Sequence, residues 1–443
     1  RATGGGGQRM SQYRAYPAYK DSGIEWIGQV PEHWKVARVK RLASLRNERR
    51  NDVSTDTIYI GLEDVEAGSG QYKPTNGSSR QSEDSTVGIF YEGDVLYGKL
   101  RPYLRKAIIS EMAGCCSTEF LVLRAEKTEP RWLQEWLLTP DVTHQIESGC
   151  EGAKMPRADW GHIGSIEVVY PDQPEQAQIL TTLDRETARI DALVEKKTRF
   201  IELLKEKRQA LITHAVTKGL DPNVKMKDSG VEWIGQVPEH WEVKPFKYIL
   251  SAPMSYGANE SAESDDPNHP RYIRITDLTE NGTLREDTFK TLPWDKAYSY
   301  LLSDGDILLA RSGATVGKSF LYRETNGAAC FAGYLIKASC NEEKALPKYI
   351  YAYLQSHSYW EYISGSNIQS TIQNVSAEKY SSMVLPVPQR EEQATIAATL
   401  DRETARIDAL IGKAEQSITL LKERRSAFIT AAVTGQIDLR GKQ

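Results

Sequence analysis

The chain has 443 residues, of which 40% are hydrophobic and 26% charged, and its net charge is −4 at pH 7. This composition is typical of a globular protein with sizeable cores, and no apolar run reaches the length of about 18 residues that predicts a membrane span. The five cysteines show no C-x-x-C spacing, which favours buried thiols in a reducing cytoplasm over a zinc ribbon or a disulfide scaffold. The small negative charge does not exclude a nucleic-acid partner, because such binding depends on a local basic surface.

The first ten residues, RATGGGGQRM, contain no apolar core of a secretory signal. We interpret residues 1–9 as a remnant of expression ahead of a natural start at Met10. Residues 1–20 are therefore expected to form a flexible tail.

Two blocks of the chain occur twice. The segment DSGIEWIGQVPEHW at residues 21–34 returns at 228–241 with one change, and LDRETARIDAL at 183–193 returns unchanged at 400–410. Internal repeats decide architecture and are therefore sought early. The segments between these blocks match only faintly. The sequence thus predicts one framework, duplicated around two different surfaces.

The first of these middle segments reads as mixed α/β. TIYIGL, DVLYG, AIIS and EFLVLRA are strand-like runs, and EPRWLQEWLLT is an amphipathic helix. Basic and aromatic residues cluster in YGKLRPYLRK, and further cations occur in GAKMPR and in a Ser/Gly loop. The candidate DNA-binding residues of this half are Arg80, Lys99, Arg101, Tyr103, Arg105, Lys154 and Arg157.

Next comes a long helix, predicted at 174–218, and its second copy is predicted at 391–435. Leu183, Ile190, Leu204 and Leu211 lie on a heptad frame that Leu400, Ile407, Ala414, Leu421 and Phe428 repeat. Leu193, Phe200 and Leu410 are expected alongside this seam. Because each helix follows a globular domain, the chain's return favours an antiparallel pair with a domain at each end. The alternatives are helices buried within separate domains or paired between chains.

The second middle segment has strand-like runs at RYIRIT, DILLAR and YLIKAS, and a helix at LPKYIYAYLQS. Arginine reads guanine edges, Asn and Gln read adenine edges, and Lys and Ser hold phosphates. The candidate DNA-binding residues of this half are Arg271, Arg274, Arg311, Ser312, Lys318, Asn367, Gln369 and Gln373. For any single one of them, ordinary solvated charge or polarity is the competing interpretation.

Motifs that would indicate catalysis are missing. SGATVGKS at 312–319 has Ser312 where a phosphate-binding loop requires its first glycine, so a glycine-rich turn after a strand is the favoured interpretation. No methyltransferase tetrapeptide, metalloprotease motif or nucleophile elbow occurs. His33 and His240 recur in both PEHW blocks, which indicates packing. The sequence therefore predicts a non-catalytic binder with no catalytic residue, no metal site and no cofactor of its own.

These features together resemble the specificity subunit of type I restriction–modification systems. The resemblance is carried by the paired 21–34 and 228–241 blocks, by the PEQAQILTTLDRETARIDAL and EEQATIAATLDRETARIDAL helices, and by the ARSGATVGK turn. The first half has YGKLRPYLRK at the place of that turn, so the likeness is weaker there. The resemblance implies an α+β fold with two mixed α/β target recognition domains, separated by two long antiparallel coiled-coil helices with pseudo-two-fold symmetry.

The resemblance also implies function and partners. Each recognition domain would read one half of a bipartite site in double-stranded DNA. The helices would dock two modification subunits, which carry S-adenosylmethionine and methylate adenine, and motor–nuclease subunits would join for restriction. Such a chain would act in the prokaryotic cytoplasm on nucleoid DNA. The alternatives are a coiled-coil scaffold that binds protein, a specificity subunit of a fused nuclease–methyltransferase system, and a nucleotide hydrolase using Lys318.

The expected boundaries follow from the repeats. They are a tail at 1–20, a first recognition domain at 21–173, a first helix at 174–218, a linker at 219–227, a second recognition domain at 228–390, a second helix at 391–435 and a C-terminal tail at 436–443.

Overall fold

A computed structural model describes residues 13–54, 56–75, 85–150, 154–261, 263–279, 282–367 and 374–441. The chain divides into two compact units. Unit 1 comprises Arg1–Lys197 and Gln416–Gln443, and unit 2 comprises Thr198–Glu415. The units do not follow the predicted boundaries, because each long helix contributes one part to unit 1 and the other part to unit 2.

Two of the helices are far longer than the rest: α4 has 46 residues and α9 has 44. Glycines with positive φ follow them, Gly219 at 74° and Gly435 at 75°, as expected for a helix end that needs a left-handed residue. The helices of the described residues are α1 (Pro130–Leu138), α2 (Pro140–Ser148), α3 (Trp160–Ser165), α4 (Gln173–Lys218), α5 (Trp294–Ala297), α6 (Pro347–Tyr353), α7 (His357–Asn367), α8 (Ala377–Ser382) and α9 (Arg390–Val433).

The strands are short, and most occur in corresponding pairs, one in each unit. Unit 1 contains β1 (Tyr19–Asp21), β2 (Gln29–Pro31), β3 (Lys35–Arg38), β4 (Ala43–Leu45), β5 (Arg49–Arg50), β6 (Tyr59–Ile60), β7 (Val87–Phe90), β8 (Val95–Gly98), β9 (Ala107–Ile109), β10 (Gly114–Cys116), β11 (Phe120–Ala125) and β12 (Glu167–Tyr170). Unit 2 contains β13 (Met226–Asp228), β14 (Gln236–Pro238), β15 (Glu242–Pro245), β16 (Ser255–Tyr256), β17 (Arg271–Ile273), β18 (Ile307–Ala310), β19 (Ser319–Leu321), β20 (Ala329–Phe331), β21 (Leu335–Ala338) and β22 (Val384–Val387).

Strand pairing corresponds in much of the two units, except that β6 and β10 belong to a four-stranded sheet, β5-β7-β10-β6, whereas β17 and β20 form a two-stranded sheet. The antiparallel sheet of unit 1 has the order β4-β11-β8-β9, and that of unit 2 has the order β16-β21-β18-β19. A parallel pair accompanies each sheet, β6 with β10 and β17 with β20. Each unit also has a hairpin made by its copy of the repeated block, β1–β2 and β13–β14. The two middle segments therefore share one strand framework, as their faint sequence match predicts.

Strand β8 is buried at all four positions, because both faces of its sheet are covered. Tyr97 packs with Leu133 and Trp136 of α1, whereas its neighbour Leu96 packs with Phe90 on the opposite face. Two apolar layers thus enclose the sheet. This burial explains why DVLYG is a continuous apolar run rather than an alternating one.

The long helices bury most of the predicted heptad frame within each unit, with Leu211 and Leu421 partly exposed. Ile179 and Leu183 of α4 pack with Phe428 and Val433 of α9 in unit 1. The prediction for Leu193, Phe200 and Leu410 was wrong, because their exposed fractions are 47%, 46% and 46%. The residues that follow them, Val194, Ile201 and Ile411, are less exposed, because one residue turns a helix by about 100°.

The repeated PEHW blocks pack on the starts of the long helices. Glu175 at the start of α4 accepts hydrogen bonds from Trp34 Nε1 at 3.2 Å and Tyr16 Oη at 3.0 Å, and His33 Nε2 lies 2.7 Å from it. His240 and Trp241 contact Glu392 of α9 in the same way. Both histidines thus contact the start of a long helix, as the predicted packing role requires, while 47% of each side chain stays exposed. Tyr16 is buried, so the described part of the predicted N-terminal tail is packed rather than flexible.

Candidate nucleic-acid interface

The candidate interface consists of one turn in each unit, and the two turns have the same backbone geometry. We call residues 98–107 turn 1 and residues 310–319 turn 2. Gly98 N donates to Lys106 O at 2.8 Å, and Ala310 N donates to Lys318 O at 2.8 Å. The turns have equal length and join corresponding strands, β8 to β9 and β18 to β19. The weak match between YGKLRPYLRK and ARSGATVGK therefore conceals two equivalent turns.

A second segment runs alongside turn 1 and brings further predicted residues to it. Arg101 N donates to Pro156 O at 2.8 Å, and Ala158 N donates to Lys99 O at 2.9 Å. The Lys99–Arg101 and Lys154–Arg157 stretches are therefore adjacent. They are far apart in sequence, and only the strand framework brings them together.

Turn 2 has the same kind of neighbour. Val375 N donates to Arg311 O at 2.8 Å, and Ser312 forms a β-bridge with Asn374. Arg311 and Ser312 thus occupy the positions that Lys99 and Leu100 occupy in turn 1. The same place in the fold presents cations in unit 1 and a mixed set of polar groups in unit 2.

The predicted cations of unit 1 differ in whether they already have a partner. Arg157 makes a bidentate ion pair with Glu119, with distances of 3.2 and 3.0 Å. Lys99, Arg101 and Lys154 form no ion pair with any residue that the structure describes. The side chain of Tyr103 is 49% exposed. This part of unit 1 can therefore offer three unpaired positive charges to an anionic ligand.

Arg311 is held by an aromatic ring instead of a carboxylate. Its guanidinium carbon lies 4.8 Å from the centroid of Tyr256, and its Nε is buried without a hydrogen-bond partner among the described residues. Its backbone N–H donates to Tyr334 O at 3.1 Å, and Tyr334 is 63% exposed. Sequence reasoning missed both tyrosines, because each is an isolated aromatic residue far from Arg311 in the chain.

The side chains of two predicted residues of the turns, Arg105 and Lys318, lie next to the long helices. Arg105 Nη1 donates to Leu138 O at 3.4 Å, and the residue lines a cleft of unit 1 with Asp191 and Arg425. Lys318 lines a cavity of unit 2 with Arg208 and other residues of the helices. Both residues therefore line a space next to the long helices of their own unit.

Two predicted arginines of unit 2 are used within the fold. Arg271 has a side chain only 10% exposed, pairs with Glu286 at 2.8 Å and donates to Arg285 O at 2.5 Å. Arg274 makes two hydrogen bonds to Asp277, at 3.1 and 2.9 Å, and a third to Thr288 O. Both guanidiniums are thus engaged by loops of unit 2, so for these two residues a structural role competes with the predicted contact to DNA.

The remaining predicted residues cannot be placed. Arg80, Gln369 and Gln373 lie outside the described residues. Asn367 is the last residue of α7, and its side chain is likewise outside the description.

Groups suited to catalysis do not accumulate in the described parts of the chain. Burial raises the pKa of the thiols of Cys116, Cys330 and Cys340 to about 12, so these cysteines are poor nucleophiles. The described residues include no group of three or more His, Cys, Asp or Glu that could hold a metal ion. Turn 2 leads into strand β19 and not into a long helix, which a nucleotide-binding loop requires. No described helix is long and apolar enough to span a membrane.

Comparison with known proteins shows what the chain is similar to. Residues 238–420 match the family described as the type I restriction modification DNA specificity domain. Among curated relatives, the EcoDI specificity subunit of Escherichia coli is 22% identical over 205 residues, covering 45% of this chain and 46% of the relative. The putative MjaX specificity subunit of Methanocaldococcus jannaschii is 24% identical over 94% of this chain and 96% of the relative. For several of these relatives, including EcoDI, the match spans about half of their length.

Solved structures agree on the fold. A chain from a study of complex assembly and conformational transition of the type I R-M system aligns with a TM-score of 0.71 at 17% identity, covering 91% of this chain and 98% of that chain. The HsdS subunit from Thermoanaerobacter tengcongensis aligns with a TM-score of 0.51 at 18% identity, covering 92% and 98%. The resemblance found in the sequence is thus confirmed. Residues 238–420 therefore match a type I restriction modification DNA specificity domain, and the chain over most of its length is similar to type I specificity subunits.

Proposed function

We propose that this chain is the non-catalytic DNA sequence-specificity subunit of a type I restriction–modification complex. Each unit reads one half of a bipartite site in double-stranded DNA. The observation that carries the proposal is the pair of equivalent turns, 98–107 and 310–319, which present different side chains from the same strand framework. The match of 238–420 to a DNA specificity domain supports it.

The helices supply the second part of the proposal. α4 and α9 contribute to both units, so a change in their length changes the number of unread base pairs between the half-sites. A 46-residue helix is about 69 Å long at 1.5 Å per residue. Half-sites read from one face of DNA lie about 34–36 Å apart, which is less than this helix length.

Exposed leucines support the docking of two copies of one partner. Leu193 and Leu203 of α4 are both 47% exposed, and the equivalent Leu410 and Leu420 of α9 are 46% and 64% exposed. Large apolar side chains repeated at equivalent exposed positions suit a protein interface. We assign these positions to two modification subunits, which carry S-adenosylmethionine, while motor–nuclease subunits join the assembly for restriction on nucleoid DNA. No cofactor is assigned to this chain.

Mapping methylated adenines in a bacterial host that carries this chain and its modification partner tests the proposal. The expected result is a new methylated motif made of two short conserved tracts with an unread gap. A host carrying the modification partner alone is the control and should lack that motif. If the chain adds no methylated motif but still captures the partner, the scaffold alternative holds instead.

A further inference from the structure

Turn 1 carries arginines where turn 2 carries glycines. Arg101 and Arg105 have φ angles of 53° and 49°, and they are the two non-glycine residues with positive φ in the part of the chain that the structure describes. The corresponding residues of turn 2, Gly313 and Gly317, have φ angles of 74° and 84°. Left-handed backbone is unfavourable for a residue that has a Cβ atom, and glycine is the usual solution. Turn 1 therefore keeps two side chains at positions that favour none.

The side chain of Arg105 has a packing role that explains its presence. Its guanidinium reaches Leu138 O at 3.4 Å and lies against Gly68, whose N–H also donates to Arg105 O at 2.9 Å. Arg105 thus joins the turn to the end of α1 and to the loop at Gly68. A glycine at this position would keep the backbone hydrogen bond to Gly68 and lose the two contacts of the guanidinium.

The side chain of Arg101 has no comparable role. It is exposed, and it makes no hydrogen bond or ion pair with any residue in the described ranges. What holds Arg101 is its backbone: its N–H donates to Pro156 O at 2.8 Å, and its carbonyl accepts from Leu104 N at 2.9 Å. Glycine would make both bonds equally well. Nothing among the described residues of unit 1 therefore accounts for a side chain at this strained position.

The surroundings of Arg101 indicate the ligand. Lys99 precedes it by two residues, and Lys154 lies in the adjacent segment, so one edge of unit 1 carries three cations that form no ion pair with any described residue. We propose that Arg101 anchors a DNA phosphate for unit 1 and that its strained backbone is kept for this contact; the inference rests on the proposed function. Phosphate is favoured over a base edge because the guanidinium is not held in one orientation, unlike that of Arg311 on Tyr256.

The test measures binding of the full chain to a duplex of arbitrary sequence, about four helical turns long, across a range of salt concentrations. Loss of one phosphate contact lowers the slope of log affinity against log salt by about 0.9 and weakens binding about five- to tenfold at low salt. Arg101→Gly should show this loss without a lower thermal midpoint. Arg105→Gly, the matched control, should keep the slope and lower the midpoint. Arg101→Lys should retain most of the slope, since it retains the charge.

The reverse change, an arginine introduced into turn 2, gives a second test. An ideal Cβ at Gly313 meets no atom within 4 Å, so Gly313→Arg has room for its side chain and carries only the cost of the left-handed backbone. This variant should raise the slope by about 0.9 and lower the thermal midpoint. Wild-type binding with an unchanged slope for Arg101→Gly would overturn the inference, and so would a thermal midpoint that falls as far as that of Arg105→Gly. If the wild-type chain binds no DNA, alone or with its partner, the proposed function fails as well.

Discussion

Arg208 of α4 donates a hydrogen bond from Nε to the carboxylate of Asp408 on α9, over 3.0 Å in unit 2. The equivalent residues of the repeat form the same pair in unit 1, where Arg425 lies 2.9 Å from Asp191. Each arginine thus meets the aspartate of the other copy. In unit 2, Val216 of α4 lies in the same apolar cluster as Ile396 of α9. From Arg208 to Val216 the chain advances along α4, while the partner on α9 moves back from Asp408 to Ile396. The helices therefore run antiparallel in each unit.

The two ion pairs should differ in strength. Arg425 is 16% exposed and Arg208 is 30% exposed, so water screens the pair of unit 1 less. In double-mutant cycles with alanine, we expect a coupling free energy of about 1 kcal/mol for Arg425 and Asp191 and about 0.3 kcal/mol for Arg208 and Asp408. Urea unfolding of the single and double variants measures both. Equal coupling energies would show that burial does not set the strength of these pairs.

A buried carboxyl of α1 should make stability depend on pH. Burial raises the pKa of Glu135 more than the nearby Arg131 guanidinium, at 2.5 Å, lowers it. Because the folded pKa is above the unfolded value of about 4.3, the stability that the neutral form contributes is complete below that value and is lost as the pH rises through the folded pKa.

Glu135→Gln removes this ionisation and leaves Arg131 its hydrogen bond to Gln134 at 2.7 Å. The variant should therefore gain free energy of unfolding relative to the wild type near pH 7 and gain little near pH 4. Urea unfolding at the two pH values checks this. Alanine occupies the equivalent position 352 of unit 2. A variant that is less stable than the wild type near pH 7 would show that the ion pair outweighs the cost of burial.

Arg311 should determine a base of the half-site that unit 2 reads. Its guanidinium is held against Tyr256, which fixes the orientation that a bidentate contact to guanine requires. Arg311→Ala should reduce discrimination at one guanine by about 1–3 kcal/mol and leave the other half-site unchanged. Methylated motifs mapped from variant and wild-type hosts measure this. The control is Arg274→Ala, whose guanidinium already bonds to Asp277 and Thr288; it should lower stability and keep the motif.

The exposed leucines of the helices should contribute to partner binding and little to folding. Leu193→Asp and Leu410→Asp change exposed residues, so each should alter the free energy of unfolding by no more than about 0.5 kcal/mol. Each single variant should retain one modification subunit and the double variant none, as measured by the mass of the purified assembly. An assembly of unchanged mass in the double variant would place the docking surface elsewhere.

The framework could be predicted from the sequence because it is periodic and repeated. Leu183, Ile190 and Leu204 are buried as the heptad frame predicts, and both long helices occur close to their predicted ranges. Leu193 was expected alongside the seam and is exposed instead. The sequence does not show whether an apolar residue faces the seam or lies next to it. Helices α2, α3, α7 and α8 carry weaker patterns and were not predicted.

The site was harder to predict, because charge in a sequence does not show which partner it has. Arg271 and Arg101 look alike in the sequence. In the structure Arg271 is buried and paired with Glu286, whereas Arg101 is exposed and has no ion-pair partner among the described residues. The difference depends on contacts between residues far apart in the chain. The adjacency of Lys99 and Ala158 likewise depends on strand pairing that no local pattern reveals.

Selection of DNA from a pool of duplexes with randomised sequence, by the chain assembled with its modification partner, tests the central claim most directly. If the two units read different half-sites, the selected DNA should contain two different conserved tracts. A fixed number of positions, at which all four bases remain equally frequent, should separate these tracts. The Arg311→Ala variant, selected in parallel, should change one tract only. A single uninterrupted motif, or two tracts that both change in the variant, would contradict the account.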